Sequence, residues 1–205
     1  MEAAAQVAQN LGANAGLSLT VPEVNSMGLA ILGGQSLEQA FAQDYDTIVI
    51  VENDLYRRLP AKQINAALAK AKDIIVLDHA ETETVKKANI VLSAASFAEG
   101  DGTVVSQEGR AQRFYQVYDA SYYKPEYAIK ESWRWIHAIE TGVKGQAISW
   151  SVLDDVIESV AKNVPALEAI QDVAPNAGFR VHGLKVAREP RRYSGRTSLR
   201  APLSI

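Results

Sequence analysis

The sequence predicts an α/β fold built on a parallel β-sheet. Three stretches carry that expectation: residues 46–51 (DTIVIV), 73–77 (DIIVL) and 88–92 (ANIVL), each a short run of aliphatic, largely β-branched residues. Unbroken runs of this kind, as opposed to alternating polar and apolar residues, mark strands covered on both faces, as in parallel sheets. Helical segments separate them and the links are short. Strand–helix–strand–helix–strand is a pair of βαβ units, so the expected sheet is Rossmann-like and flanked by helices, with a C-terminal helical segment and an extended basic arm.

Taken in order, the Ala-rich residues 1–11 read as a helix that Gly12 stops. A chain that opens directly on a helix, with no strand before it, reads as part of a longer polypeptide. Asn25-Ser26-Met27-Gly28 is a turn-like break. Ser36-Leu37-Glu38-Gln39 is a capping box, in which hydroxyl and side-chain amide satisfy the first free amides of a short helix. Pro60 opens a helix expected to reach Lys72, with Ile64, Ala67, Leu68 and Ala71 on one face. Residues 81–87 are expected to form a short helix between the second and third strands. Gly100, Gly102 and Gly109 then punctuate a loop and hairpin through Tyr115. Residues 126–140 read as a helix with Ile129, Trp133, Ile136 and Ile139 on one face. Ser151 to Asp154 starts another that runs to about Asn163, before Pro165. This divides the chain into a Rossmann-like domain over residues 1–115, a helical extension of it over 116–172, and an arm over 173–205.

Composition narrows the function. No apolar run approaches the ~18–20 residues needed to span a bilayer, and residues 1–7 lack the basic and apolar regions of a signal peptide, so a cytoplasmic location is expected. There is no cysteine, which excludes disulfides, thiolate zinc sites, clusters held by four cysteines and a cysteine nucleophile. His79, His137 and His182 lie far apart and none stands in a HxxxH spacing. No metal ligand set and no catalytic residue are therefore expected in these residues. Charge is uneven: Arg180, Lys185, Arg188, Arg191, Arg192, Arg196 and Arg200 crowd the C-terminus beside one acid, Glu189, while the rest is net acidic. Such asymmetry marks an interaction arm, with Arg191, Arg192 and Arg196 as partner-binding residues. Nucleic acid is not the expected partner, because the body is acidic and has no base-stacking motif.

In open parallel sheets ligands sit beyond the carboxyl ends of the strands. Here those ends are Glu52-Asn53-Asp54, Asp78-His79-Ala80 and Ser93 to Ser96. A carboxylate at such an end can accept from a ribose or purine edge, and equally can cap the next helix. Thr82 and Thr84 open that next segment, whose amides could face a phosphate or simply be capped. Glu99-Gly100-Asp101-Gly102 and Gln107-Glu108-Gly109-Arg110 could admit a phosphate or pterin closely; two hairpin turns explain them as well. There is no GxGxxG, no Walker sequence and no GxSxG elbow. Asp154-Asp155 suits a helix start, and His137 among apolar neighbours suits a core or rim position.

The ordered series Asp73–Asp78, Thr82-Glu-Thr84, 88–95 (ANIVLSAA), 97–103 (FAEGDGT) and 108–112 (EGRAQ) resembles molybdopterin oxidoreductases of the formate dehydrogenase type. Their pattern there is a strand ending in Asp, a T-x-T start, an ADVVLP-like strand, an E-x-x-G-T turn and an EGR-x-Q turn. Asn25-Ser26-Met27-Gly28 resembles the family's N-S-x-G turn, and Val51-Glu52-Asn53-Asp54 its G-E-N-P strand end. The resemblance covers about residues 3–140. It is closest to the branch formed by the large iron–sulfur subunits of bacterial NADH–quinone oxidoreductases (respiratory complex I), through residues 52–57 (ENDLYR) and 188–197 (REPRRYSGRT).

The resemblance implies a C-terminal part of such a subunit, with Fe–S clusters in an upstream region and other peripheral-arm subunits as partners. It implies that Asn25, Ser26, Gly28, Glu52, Asn53, Asp78 and Thr82 stand where catalytic relatives grip a molybdopterin guanine dinucleotide. Departures from the pattern are Asp54 for proline, Leu77 for a polar residue, Asn89 for aspartate and Ser93 for proline. They fit a structural branch that keeps the fold without the cofactor. The alternative is a dinucleotide-binding domain of a working molybdenum oxidoreductase.

Overall fold

The computed structural model describes residues 2–119, 122, 125–145, 150–173 and 175–179. Its central sheet is parallel with strand order β1-β2-β3, formed by β1 (Thr47–Val51), β2 (Asp73–Asp78) and β3 (Ile90–Ser93). Thr47 pairs with Asp73 and Val51 with Leu77; Ile75 pairs with Ile90 and Asp78 with Ser93. Register partners share a face, so the sheet presents two sets of rows. Ile48, Ile50, Ile74 and Val76 form one face, which packs with α3 (Leu37–Phe41) and α4 (Ala61–Leu68) around the fully buried Ile64.

The opposite face departs from expectation. The sequence predicted three strands covered on both sides, and only β2 comes near this. Val49 is 44% exposed, Val51 39% and Ile90 46%, whereas Leu77 is fully buried. The physical reason is position: β1 and β3 are the two edges, and α5 (Ser132–Lys144) packs mainly on the central strand β2, reaching β3 through the Trp135 indole N–H, which donates to the Ser93 carbonyl at 2.9 Å.

Several boundaries also differ. The capping box at Ser36 forms as expected, with Gln39 N donating to Ser36 Oγ at 3.2 Å and Ser36 N to Gln39 Oε1 at 3.0 Å. α4 stops at Leu68, short of Lys72, because the Lys72 and Asp73 amides turn to donate to the Asp46 carbonyl at 2.8 and 3.0 Å. The helix expected over 81–87 contracts to a single 3-10 turn, Val85–Lys87. α5 begins at Ser132, not at 126: Lys130 bridges Ala94 in parallel, and Ala95 N donates to its carbonyl at 2.8 Å, so this stretch is drawn into sheet-like pairing.

A second core lies apart from the sheet. It is assembled from α2 (Ser26–Leu32), the hairpin β4 (Gly102–Val105) and β5 (Ala111–Phe114), α6 (Leu153–Asn163), the 3-10 turn Pro165–Leu167 and α7 (Ile170–Val173). Gly109, at φ 77, makes the hairpin turn, and a Cβ on Gly102 would lie 2.6 Å from the Phe114 ring. The glycine-rich segments therefore build the hairpin. The Ser151–Asp154 start of α6 is pinned from within: Asp155 Oδ2 accepts from Ser151 N and Val152 N at 2.7 and 3.0 Å. α1 (Glu2–Asn10) buries no residue. Among the described residues no helix is long and apolar enough to cross a membrane.

Candidate functional site

The carboxyl ends of β1 and β2 lie side by side, because Glu52 N donates to the Leu77 carbonyl at 2.7 Å. That bond coincides with a left-handed backbone at Glu52, φ 48, which is uncommon for a residue with a side chain. The turned carboxylate accepts from the Ser132 hydroxyl at the start of α5. Next along the chain, Asn53 Oδ1 accepts from Arg58 Nε at 3.0 Å. Arg58 also pairs with Glu23, and Glu23 Oε2 accepts from the Ser26 hydroxyl at 3.3 Å. The chain Asn53–Arg58–Glu23–Ser26 thus ties the end of β1 to the start of α2. The hydrogen bond from Arg58 holds the Glu23 carboxyl below the usual carboxylate range.

Asn25 and Gly28 act as a unit elsewhere. Asn25 Oδ1 accepts from Val105 N at 2.8 Å, clipping α2 to β4 across a separation of 80 residues. A Cβ on Gly28 would stand 2.2 Å from that same Oδ1, so glycine leaves the room the amide occupies. Both residues line an apolar cavity of about 140 Å³ in the second core.

At the end of β2, the buried Asp78 accepts from Ala80 N through Oδ1 at 3.1 Å, and His79 Nδ1 stands 3.5 Å away. Thr82 Oγ1 accepts from Val85 N at 3.2 Å, which ties it to the start of the following turn. Thr84 is fully buried: its hydroxyl accepts from Leu55 N and donates to Asp54 Oδ1, both at 2.8 Å. Asp54 Oδ1 also accepts from Tyr56 N at 3.3 Å. The two strand ends are therefore stitched by Asp54 and Thr84.

Glu23 and Arg58 had no place among the residues expected from the sequence. Asp54 was expected at the strand end as a ligand acceptor or a cap, and it caps the turn Leu55–Arg57; Thr84 was expected only at the start of the next segment. Arg58 carried no signal, because its partners Glu23 and Asn53 lie 35 and 5 residues away.

A further polar group organises the second core. Arg113, with a side chain 1% exposed, donates to Asp101 at 3.1 Å, to Asp154, and to the Pro175 carbonyl at 3.0 Å. Burial works against its charge, but the hydrogen bonds to Asp154 and Asp101 outweigh burial and hold the guanidinium more firmly protonated. Ala177 N donates to Asp154 Oδ2 at 2.8 Å and the Tyr115 hydroxyl to the Pro175 carbonyl at 3.3 Å, so residues 175–177 of the expected arm dock here. Arg191, Arg192 and Arg196 lie outside the described residues.

Beside the end of β3, a polar cleft of about 530 Å³ is lined by Glu99, Lys130, Glu131, Arg134, His137 and Trp150, among others. It holds none of the seven residues expected to face a dinucleotide, although Glu99 of the Gly-rich loop lines it. Half-buried His137 sits against Trp150, ring centroids 5.9 Å apart, in keeping with a rim position. Among the described residues no group of three or more His, Asp or Glu side chains is placed to hold a metal ion.

Residues 4–140 match the molybdopterin oxidoreductase family. Over the whole chain, the sequence is 51% identical to the G subunit of NADH-quinone oxidoreductase from Pseudomonas putida (strain KT2440) and from Pseudomonas fluorescens, and 49% identical to that from Escherichia coli (strain K12). The chain spans about a quarter of these relatives' length: 24%, 24% and 23%.

Proposed function

The chain belongs to the molybdopterin oxidoreductase family, and from that premise we propose that it is a structural, cofactor-less domain of the large peripheral-arm subunit of a respiratory NADH–quinone oxidoreductase. It supports electron transfer from NADH to quinone by holding the surrounding subunit in shape. The observation that carries this reading is the 49–51% identity, along the whole chain, to the G subunits of such oxidoreductases. The absence of cysteine supports it: no thiolate is present here to hold an Fe–S cluster, so the clusters expected by resemblance belong to the rest of the subunit.

The geometry of the strand ends supports the same reading. In a dinucleotide grip, Asn25, Ser26, Glu52, Asn53, Asp78 and Thr82 would present free polar groups and Gly28 a bare backbone. Instead each of the six bonds to its own protein, and Gly28 makes room for Asn25. Side chains engaged in this way favour a domain that holds no pterin dinucleotide. Their bonds tie the end of β1 to α2 and α5, tie α2 to β4, and hold the turns after β2. In this reading the partners are the rest of the same subunit and the other peripheral-arm subunits, reached in part through Arg191, Arg192 and Arg196. The location is peripheral, at the cytoplasmic face of the bacterial inner membrane.

The test uses the complete complex. Asp78→Ala and Asn25→Ala should reduce the amount of assembled complex while turnover per assembled complex stays unchanged. Normal assembly with slower turnover would overturn the structural role. Stoichiometric molybdenum with extractable pterin would favour instead the dinucleotide-binding domain of a catalytic molybdenum enzyme.

A further inference from the structure

The second core holds the apolar cavity of about 140 Å³. Val105, Leu153, Ile157 and Leu167 are among its walls, and among the described residues no charged side chain lines it. Packed interiors hold few voids larger than a water molecule, and an apolar cavity of ~150 Å³ stays dry yet takes up benzene. This one has a way in, because Leu32, which also lines it, is 48% exposed. Two polar residues interrupt the hydrocarbon, both beside β4. Asn25 engages its Oδ1 with Val105 N at 2.8 Å, and among the described residues no hydrogen bond engages its Nδ2. Thr103 stands two residues before Val105, so the two share a face of the strand, and its hydroxyl is buried with no hydrogen-bond partner among the described residues. A buried hydroxyl left so is costly, and one acceptor bound beside it would satisfy both donors.

We propose that this cavity is a binding site for a small uncharged molecule with a hydrocarbon body and a single carbonyl oxygen. The body, of about the size of benzene, lies against the aliphatic side chains of α2 and α6. The carbonyl oxygen, with two lone pairs, accepts from Asn25 Nδ2 and from the Thr103 hydroxyl at the β4 end. The volume is too small for a dinucleotide. An ion is disfavoured, because burial would strip its water with no lining charge to compensate. The inference rests on this cavity alone and stands or falls independently of the role proposed above.

Equilibrium dialysis tests it. The complete complex is dialysed against acetophenone, or against α-methylstyrene, which has nearly the same shape without the carbonyl oxygen, and the bound amount is read by gas chromatography. Acetophenone should bind several-fold tighter, up to about tenfold, the increment of one good hydrogen bond. Val160→Phe fills the cavity from α6 and should remove one equivalent of bound acetophenone from a complex that still assembles. Asn25→Asp keeps an acceptor for Val105 N but removes the amide donor, and should shrink the preference for the ketone. Equal or tighter binding of α-methylstyrene overturns the proposal, as does acetophenone uptake that Val160→Phe leaves unchanged or a preference that Asn25→Asp leaves unchanged. If Val160→Phe does not assemble, Leu32→Trp takes its place: it adds bulk at the exposed opening and should lower the uptake, and unchanged uptake again overturns the proposal.

Discussion

The sheet core and the hairpin core bury similar aliphatic residues by different routes. The sheet core draws Ile50, Leu55, Ile64, Leu68, Ile74 and Val76 from one continuous stretch. The hairpin core gathers Met27, Ile31, Val105, Leu153, Ile157 and Ile170 from separate parts of the chain. A continuous stretch closes small loops, and its backbone ladder fixes the register. A discontinuous core closes large loops, and here its ladder reaches only across the hairpin β4–β5, so the other segments depend on long-range polar clips. The clips differ accordingly. In the sheet core, the neutral Thr84 hydroxyl stitches two strand ends. In the hairpin core, a buried guanidinium joins β5 to α6 and to Pro175, and Asn25 reaches Val105.

The difference can be broken or sharpened by substitution. The largest effect is expected from Ile64→Ala, which empties a fully buried position against β2 and should cost about 4 kcal/mol in urea unfolding. Hydrogen exchange should then show lost protection in residues 47–78 before residues 102–114; simultaneous loss would mean that the two cores act as one. Arg113→Ala should do the reverse. Removing the cation leaves Asp101 and Asp154 facing each other, at a cost of about 3 kcal/mol. That is the low end for breaking a buried pair, because Asp154 remains 38% exposed to water. Protection should fall in residues 102–114 and 153–170 while residues 47–78 keep theirs. Thr84→Val keeps the shape but leaves Leu55 N without its acceptor, so about 2 kcal/mol is expected, read as a lower urea midpoint with unchanged slope.

Acid should loosen the hairpin side locally. Asp155 is held below its ordinary value of 3.8 by the Val152 and Ser151 amides. A depressed carboxyl stabilises the fold above that value, and the contribution disappears as the pH falls below 3.8 through the lowered one. Exchange at the start of α6 should therefore rise in acid, and Asp155→Asn should remove that pH dependence. The smallest effect is expected from Glu52→Gly. It relieves the left-handed backbone at φ 48 but loses the bond from Ser132, for a net change within about 1 kcal/mol by thermal unfolding. A large loss would show that the carboxylate does more than bridge to α5.

Local chemistry made much of this molecule readable in advance. The β-branched runs specify β1 to β3 and the capping box specifies α3, because propensity and neighbour bonds act within a few residues. The glycines at 102 and 109 specify the hairpin for the same reason. Boundaries were less readable. Nothing local shows that Lys130 will pair beside Ala94 and delay α5, or that Asp46 will capture the Lys72 and Asp73 amides and shorten α4. The site was half readable. The strand ends place Glu52, Asn53 and Asp78 by topology alone, whereas the direction in which the Glu52 carboxylate bonds depends on Ser132, 80 residues away, which only the fold brings near.

By itself, then, the sequence determined the parallel α/β sheet, the positions of its strand ends and the exclusion of any thiolate chemistry, since each follows from residue type and short-range pattern. The tertiary structure alone decided that β1 and β3 are edges with exposed aliphatic side chains, and that a second core is clipped together by Asn25 and Arg113. The physical reason is range. Apolar period and turn chemistry act over a few residues, while burial and ion pairing depend on which distant segments meet. A run such as TIVIV reads the same whether it becomes a central strand or an edge.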